Sequence, residues 1–189
     1  MGNSNSVTLQ PEEVERMQNE TGFSASQIER LYSRFTTLDK FGNGALSRED
    51  LLRIPELAIN PLGDRIVHAF FRDAEDESIN FLQFLKTLAI FRPIRKGREP
   101  RYNSREQKLQ FAFRMYDLDG DELISRDELL CVLHMMVGAN ISDEQLASIA
   151  DRTIREVDQD NDDAISLAEF SEALKRTEVE GKMSIRYLN

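Results

Sequence analysis

Two twelve-residue stretches, DLDGDELISRDE at 117–128 and DQDNDDAISLAE at 158–169, constrain this chain more than anything else in it. Each sets aspartate at places 1, 3 and 5, serine at place 9 and glutamate at place 12, with isoleucine at place 8. Four ligand-type carboxylates within so short a span repel one another unless a cation sits among them. A hard divalent ion that takes six to eight oxygens fits, with ligands at places 1, 3, 5, 7, 9 and 12 and the glutamate binding through both oxygens. The first stretch then offers Asp117, Asp119, Asp121, the carbonyl of Leu123, Ser125 and Glu128. The second offers Asp158, Asp160, Asp162, the carbonyl of Ala164, Ser166 and Glu169. The reading is two calcium ions, one per loop.

At the sixth place, where the chain turns with positive φ and glycine is usual, stand Glu122 and Asp163. Aspartate tolerates that geometry better than glutamate, so the first of these loops should lose more affinity than the second. Two further stretches have the same outline without the ligands. DKFGNGALSRED, 39–50, puts Phe41 at place 3 and Asp50, one methylene too short, at place 12. In 72–83 the places 1, 3 and 12 hold Arg72, Ala74 and Gln83. An arginine at the first ligand position excludes a cation, and these two loops are expected to be metal-free.

The eighth-place residues Leu46, Ile79, Ile124 and Ile165 lie 33, 45 and 41 residues apart, the mark of one small unit repeated. Helical periodicity flanks each loop. Ile28, Leu31, Phe35 and Leu38 form one stripe, Phe81, Phe84, Leu85 and Leu88 another, and Leu109, Ala112, Phe113 and Tyr116 a third. Ser24 with Gln27 and Ser142 with Gln145 read as capping boxes. Pro55 should interrupt a helix, and Asn60-Pro61 should restart one. The expected fold is all-α, with short β pairings between loops: four helix–loop–helix units in two pairs, making two lobes. The expected segments are an N-terminal segment and first helix (1–23), a lobe with two metal-free loops (24–91), a basic linker (92–108), a lobe with two calcium loops (109–176) and a tail (177–189).

The net charge of −10 excludes a nucleic-acid surface and suits a cation binder. The linker runs against it, with seven basic residues and two acids. The single cysteine, Cys131, forbids an internal disulfide and fits a reducing compartment. No signal peptide is visible, and LLCVLHMMV at 129–137 is too short to span a bilayer. The start MGNSNS matches the pattern for N-myristoylation at Gly2.

The run 129–137 is apolar around most of a helix. Part of it should be core. The rest, with Leu130, Leu133, Met135, Met136 and Val137, should line a groove for a partner's amphipathic helix, to which Phe84, Leu88 and Phe91 contribute from the other lobe. Cys131 and His134 lie within that run with no third orienting residue, and read as a buried structural pair. The chain is not expected to be an enzyme.

Four such units, two intact loops and the acylation signal resemble the calcineurin B group. The stretches LYSRFTTLDK, LSREDLLRIPELAINPLGDRI, FRPI, ISRDELL, MMVGANISDEQLASIADRTI and KMSIR resemble the calcineurin B homologous proteins, most nearly the first, widely expressed type. The two spoiled loops separate the chain from calcineurin B itself, whose four loops all work, and Arg95–Arg101 is shorter and more basic than the acidic insert usual in that branch. The resemblance implies a myristoylated EF-hand adaptor. It would bind an amphipathic juxtamembrane helix of a Na⁺/H⁺ exchanger and support its activity and pH regulation. It also implies, as an alternative, a regulator or inhibitor that binds the calcineurin catalytic subunit, and a role in vesicle and protein transport; a plain calcium buffer is a separate rival reading of the loops themselves. The implied location is cytoplasmic, peripheral at the plasma membrane through myristate, with endomembranes and the nucleus also open.

Overall fold

The computed structural model describes residues 9–74, 76–93 and 102–183. Gly2 and most of the basic stretch 92–101 lie outside them. The chain opens with α1 (Pro11–Thr21) and α2 (Ala25–Leu38). Gln10 and Ser24 start these helices through capping boxes, and Gly22 ends the first in a left-handed conformation. After the first loop come β1 (Ala45–Ser47), α3 (Arg48–Leu52), α4 (Pro55–Ala58) and α5 (Gly63–Phe71), then β2 (Ser78–Asn80) and α6 (Phe81–Ile90). Pro55 occupies the first turn of its own short helix, where its missing N–H costs nothing. Asn60-Pro61 does not start a helix directly. The Asn60 side chain accepts the N–H of Leu62 in a local turn, and α5 begins at Gly63.

The second half holds α7 (Arg105–Tyr116), β3 (Leu123–Ser125), α8 (Arg126–Val137), α9 (Asp143–Val157), β4 (Ala164–Ser166), α10 (Leu167–Ala173) and α11 (Val179–Lys182). The expected linker is therefore helical from Arg105 onward, and the expected tail contains a further helical turn.

The two strand pairs form as the spacing requires. β1 and β2 are antiparallel with Leu46 opposite Ile79, and β3 and β4 with Ile124 opposite Ile165. All four eighth-place residues are buried. Each half closes its own core. Phe23, Ile28, Phe35, Leu46, Leu51 and Leu85 lie at the centre of the first, and Phe113, Ile124, Leu129, Ala150 and Ile165 at the centre of the second. Phe84 is part of the first core, at 4% exposure, packed on Phe35. Its assignment to an open groove is corrected: the α6 stripe turns that ring inward.

The halves meet along α5 and α7. Phe111 on α7 stacks edge-on against both Phe70 and Phe91. Arg65 on α5 donates to the carbonyls of Met115, Arg114 and Asp117 at the end of α7, and Arg114 pairs with Asp73. Lys108, fully buried, donates to the carbonyls of Ile90, Arg92 and Met183, so one ammonium joins the first half, the second and the C-terminal segment. Among the described residues no helix is long and apolar enough to cross a membrane.

Candidate metal centre

In all four units the ninth residue is the N-cap of the exiting helix and the twelfth is its third residue. The pairs are Ser47 with Asp50, Asn80 with Gln83, Ser125 with Glu128, and Ser166 with Glu169, and each makes a reciprocal capping box. The spacing between these two ligand places is thus the spacing of a helix start. In the third loop Glu128 Oε2 accepts from the N–H and hydroxyl of Ser125, at 2.8 and 2.7 Å, and Oε1 accepts from the N–H of Leu118 and Asp119. Glu169 does the same with Ser166, Gln159 and Asp160.

These donors favour the charged carboxylate. The N–H of Gln159, with the Ser166 donors, draws Glu169 down to about 2. Burial pushes Glu128 up, but the donors from Ser125, Leu118 and Asp119 together outweigh it and hold its carboxyl below the usual range. Asp160 moves the other way, raised by partial burial and then by the charges of Asp162, Glu169 and Asp158.

The turns supply the rest. Gly120 and Glu122, at places 4 and 6 of the third loop, have φ of 80° and 72°. Asn161 and Asp163 in the fourth have 62° and 63°, and Gly42 and Gly44 in the first have 64° and 79°. The left-handed sixth place expected from the spacing is present in each of these three. Oxygens of Asp117, Asp119 and Glu128 lie within 4.8 Å of one another, as do those of Asp158, Asp160 and Asp162. Asp121 and Glu169 are not among these clustered groups; Asp121 Oδ1 accepts the N–H of Leu123, and Asp162 Oδ1 that of Ala164. Leu123 and Ala164, whose carbonyls stand at place 7, begin β3 and β4, with Ser125 and Ser166 at the strand ends. Such a donor set, all oxygen and mostly charged, suits a hard divalent cation.

The first two loops hold their shape by other means. Asp39 accepts from the N–H groups of Asn43 and Gly44, and Phe41 points outward at 78% exposure. Asp50 is spent on Ser47, its other oxygen facing Arg53 at 3.1 Å. The Gln83 side chain accepts the N–H of Asn80, and its own N–H is received by the Asn80 side chain, in the capping box.

The sequence-assigned groove residues fall into separate groups. Leu130 and Leu133 pack against the second core, and Val137 is half-buried beside them on α8. Met135 and Met136 are exposed, at 40% and 47%. Leu88 and Phe91 pack against the first core. Cys131 and His134 do not form the expected buried pair: both are exposed, and the His134 ring lies 3.1 Å from Asp143. A cavity of about 300 Å³ sits between α5, α6 and α7, lined among others by Phe70, Ile90, Tyr102, Phe111, Asp73 and Arg114. Sequence periodicity gives no sign of it, because its lining comes from both halves.

Residues 106–175 match the model of an EF-hand domain pair. The chain is 46% identical over 183 residues to the calcineurin B protein of Naegleria gruberi, covering 97% of this chain and 98% of that one. It is 42% identical over 188 residues to the type 1 calcineurin B protein of Dictyostelium discoideum, covering 99% of each. This chain belongs to the calcineurin B family. A third member, the calcineurin B protein of Candida glabrata, is 40% identical over 174 residues, 92% of this chain and 94% of its own. The likeness to calcineurin B proteins covers both halves, whereas the EF-hand pair model matches only the half that carries the two acidic loops.

Proposed function

We propose that this chain is a calcium-binding regulatory subunit of a calcineurin-type phosphatase, not itself catalytic. The observation that carries the reading is the end-to-end likeness to calcineurin B proteins at 40–46% identity. The two acid clusters of the C-terminal half support it. Calcium is held in the third and fourth loops by the twelve residues named above and stiffens that half. The exposed apolar side chains Met135 and Met136, with half-buried Val137 on the same helix, receive an amphipathic helix of the catalytic chain. Gly2 carries myristate. One such chain binds membranes only marginally, so the partner supplies the second hold, and the protein works in the cytoplasm at membrane surfaces.

A second reading has a specific observation behind it. Phe41 and Arg72 disable the first two loops, as expected of the calcineurin B homologous branch and of a constitutive clasp on a Na⁺/H⁺ exchanger helix. Immobilised helices from a calcineurin catalytic chain and from an exchanger juxtamembrane segment, presented to the full chain in calcium and in chelator, separate the two. The catalytic-chain helix should bind at least about tenfold more tightly, a difference of about 1.4 kcal/mol. The reverse order refutes the phosphatase reading and leaves the exchanger.

A further inference from the structure

The first aspartate of each acidic loop anchors the turn as well as offering an oxygen to the ion. In the first loop Asp39 Oδ2 accepts the N–H of Gly44 at place 6, at 2.8 Å, and in the fourth Asp158 Oδ2 accepts that of Asp163, at 2.9 Å. The third loop differs. Asp117 Oδ1 accepts the N–H of Gly120, but Oδ2 accepts from Arg72 Nη1 at 2.8 Å, and Arg72 Nη2 reaches the Gly120 carbonyl at 3.4 Å. Arg72 is the residue at place 1 of the spent second loop. The position that lost its own ligand therefore delivers a fixed cation to the first ligand of the next loop. Asp117 is fully buried and the Arg72 side chain only 22% exposed, so solvent screens the pair little on the carboxylate side. Among the described residues Asp158 has no such partner; its oxygens accept backbone N–H groups.

We propose that Arg72 is a built-in counter-cation of the third loop. It satisfies Asp117 when no ion is bound, sets the calcium affinity of this loop below that of the fourth, and ties its filling to the contact between α5 and α7. The inference rests on the reading of 117–128 as a calcium site and adds what governs that site. A guanidinium does not shed its proton, so an arriving dication meets a permanent positive charge. To bind, the ion must displace Arg72 from Asp117 or share the carboxylate with it. Displacement frees a side chain of the α5 end that otherwise holds the second half.

Calorimetry of the full chain with calcium alone tests this, with Glu128→Gln used to assign the third-loop heat. Arg72→Gln should tighten the third loop by at least about tenfold, since a unit charge beside a dication repels it by more than that even with water-like screening, and move the fourth less than about twofold. Arg72→Lys should stay near wild type. Arg114→Gln, which breaks the other ion pair between the halves, should leave both sites unmoved. In chelator, Arg72→Gln should melt below wild type because Asp117 loses its partner, and excess calcium should close the gap. Arg72→Met, which keeps the apolar stem, is a second neutral variant should the glutamine one not fold. An unmoved or weakened third loop in the neutral variants, or equal tightening by Arg114→Gln, overturns the proposal alone. Third-loop heat missing from wild type and neutral variants alike overturns the reading of the site with it.

Discussion

Glu122 holds a left-handed backbone, φ 72°, with a side chain that has no local way to offset the strain, whereas Asn161 and Asp163 are residues that visit this region more readily. Glu122→Gly should therefore raise stability in chelator by about 0.5–1 kcal/mol, the strain relieved less the glycine's entropy, and tighten the third loop; Asp163→Gly should gain less. Urea denaturation in chelator, followed by calcium titration, checks both. Lys108 sets a pH dependence. Burial lowers it to about 8 from 10.5, so the native state sheds this proton near pH 8 while the unfolded chain keeps it until about 10.5. Between those values the unfolded chain binds more protons, and stability rises with pH; below pH 8 the cost of burying the charge is fully present. Urea midpoints of wild type and Lys108→Met across this window should move in favour of wild type as pH rises, and a constant difference contradicts the assignment. Glu122 was legible because place 6 of such a loop is fixed by spacing. Lys108 was not. Its three acceptors come from residues 90, 92 and 183, and in sequence it is simply the last basic residue of a polar linker.

The exiting helices show where local chemistry suffices. Each begins on a residue that caps it and a third residue that answers the cap, and the same spacing that marks both as ligand places makes them a cap. Ser47→Ala should cost about 1 kcal/mol and, if its loop takes no ion, as its Phe41 and Asp50 lead one to expect, the same amount with and without calcium. Ser166→Ala should cost a similar amount in chelator and also weaken calcium binding at the fourth loop. Thermal melts of both variants with and without calcium distinguish the two. The strand pairing was legible for a similar reason: the eighth-place residues repeat at fixed places and are apolar. The outer face of α8 was not. Its run of apolar residues has no period, so nothing in it tells that Leu129 and Val132 turn inward while Cys131, Met135 and Met136 face outward. That choice is made by α9, which packs along one side of α8 and comes from later in the chain.

At the scale of the whole molecule the two halves are separate cores joined by one aromatic and several cations. Phe111 touches rings from both α5 and the end of α6, and Phe111→Ala should cost about 3–5 kcal/mol, as large aromatic truncations in cores do. The loss should fall on the junction, so calorimetric unfolding, expected as one transition in wild type, should split into two in the variant. A single transition at a lower temperature would show that the halves do not depend on this contact. None of this junction was legible from periodicity, because Phe111 lies off the stripe of Leu109, Ala112, Phe113 and Tyr116, and each stripe points only to its own half. The double duty of the twelfth loop residue has a consequence for how such a molecule changes over generations. Because that residue also starts a helix, a unit can forfeit its ion one substitution at a time without passing through a broken fold. The first two loops, with Phe41 and Arg72 at ligand places, keep the same cap and helix start, and Arg72 reaches Asp117 of the next loop instead.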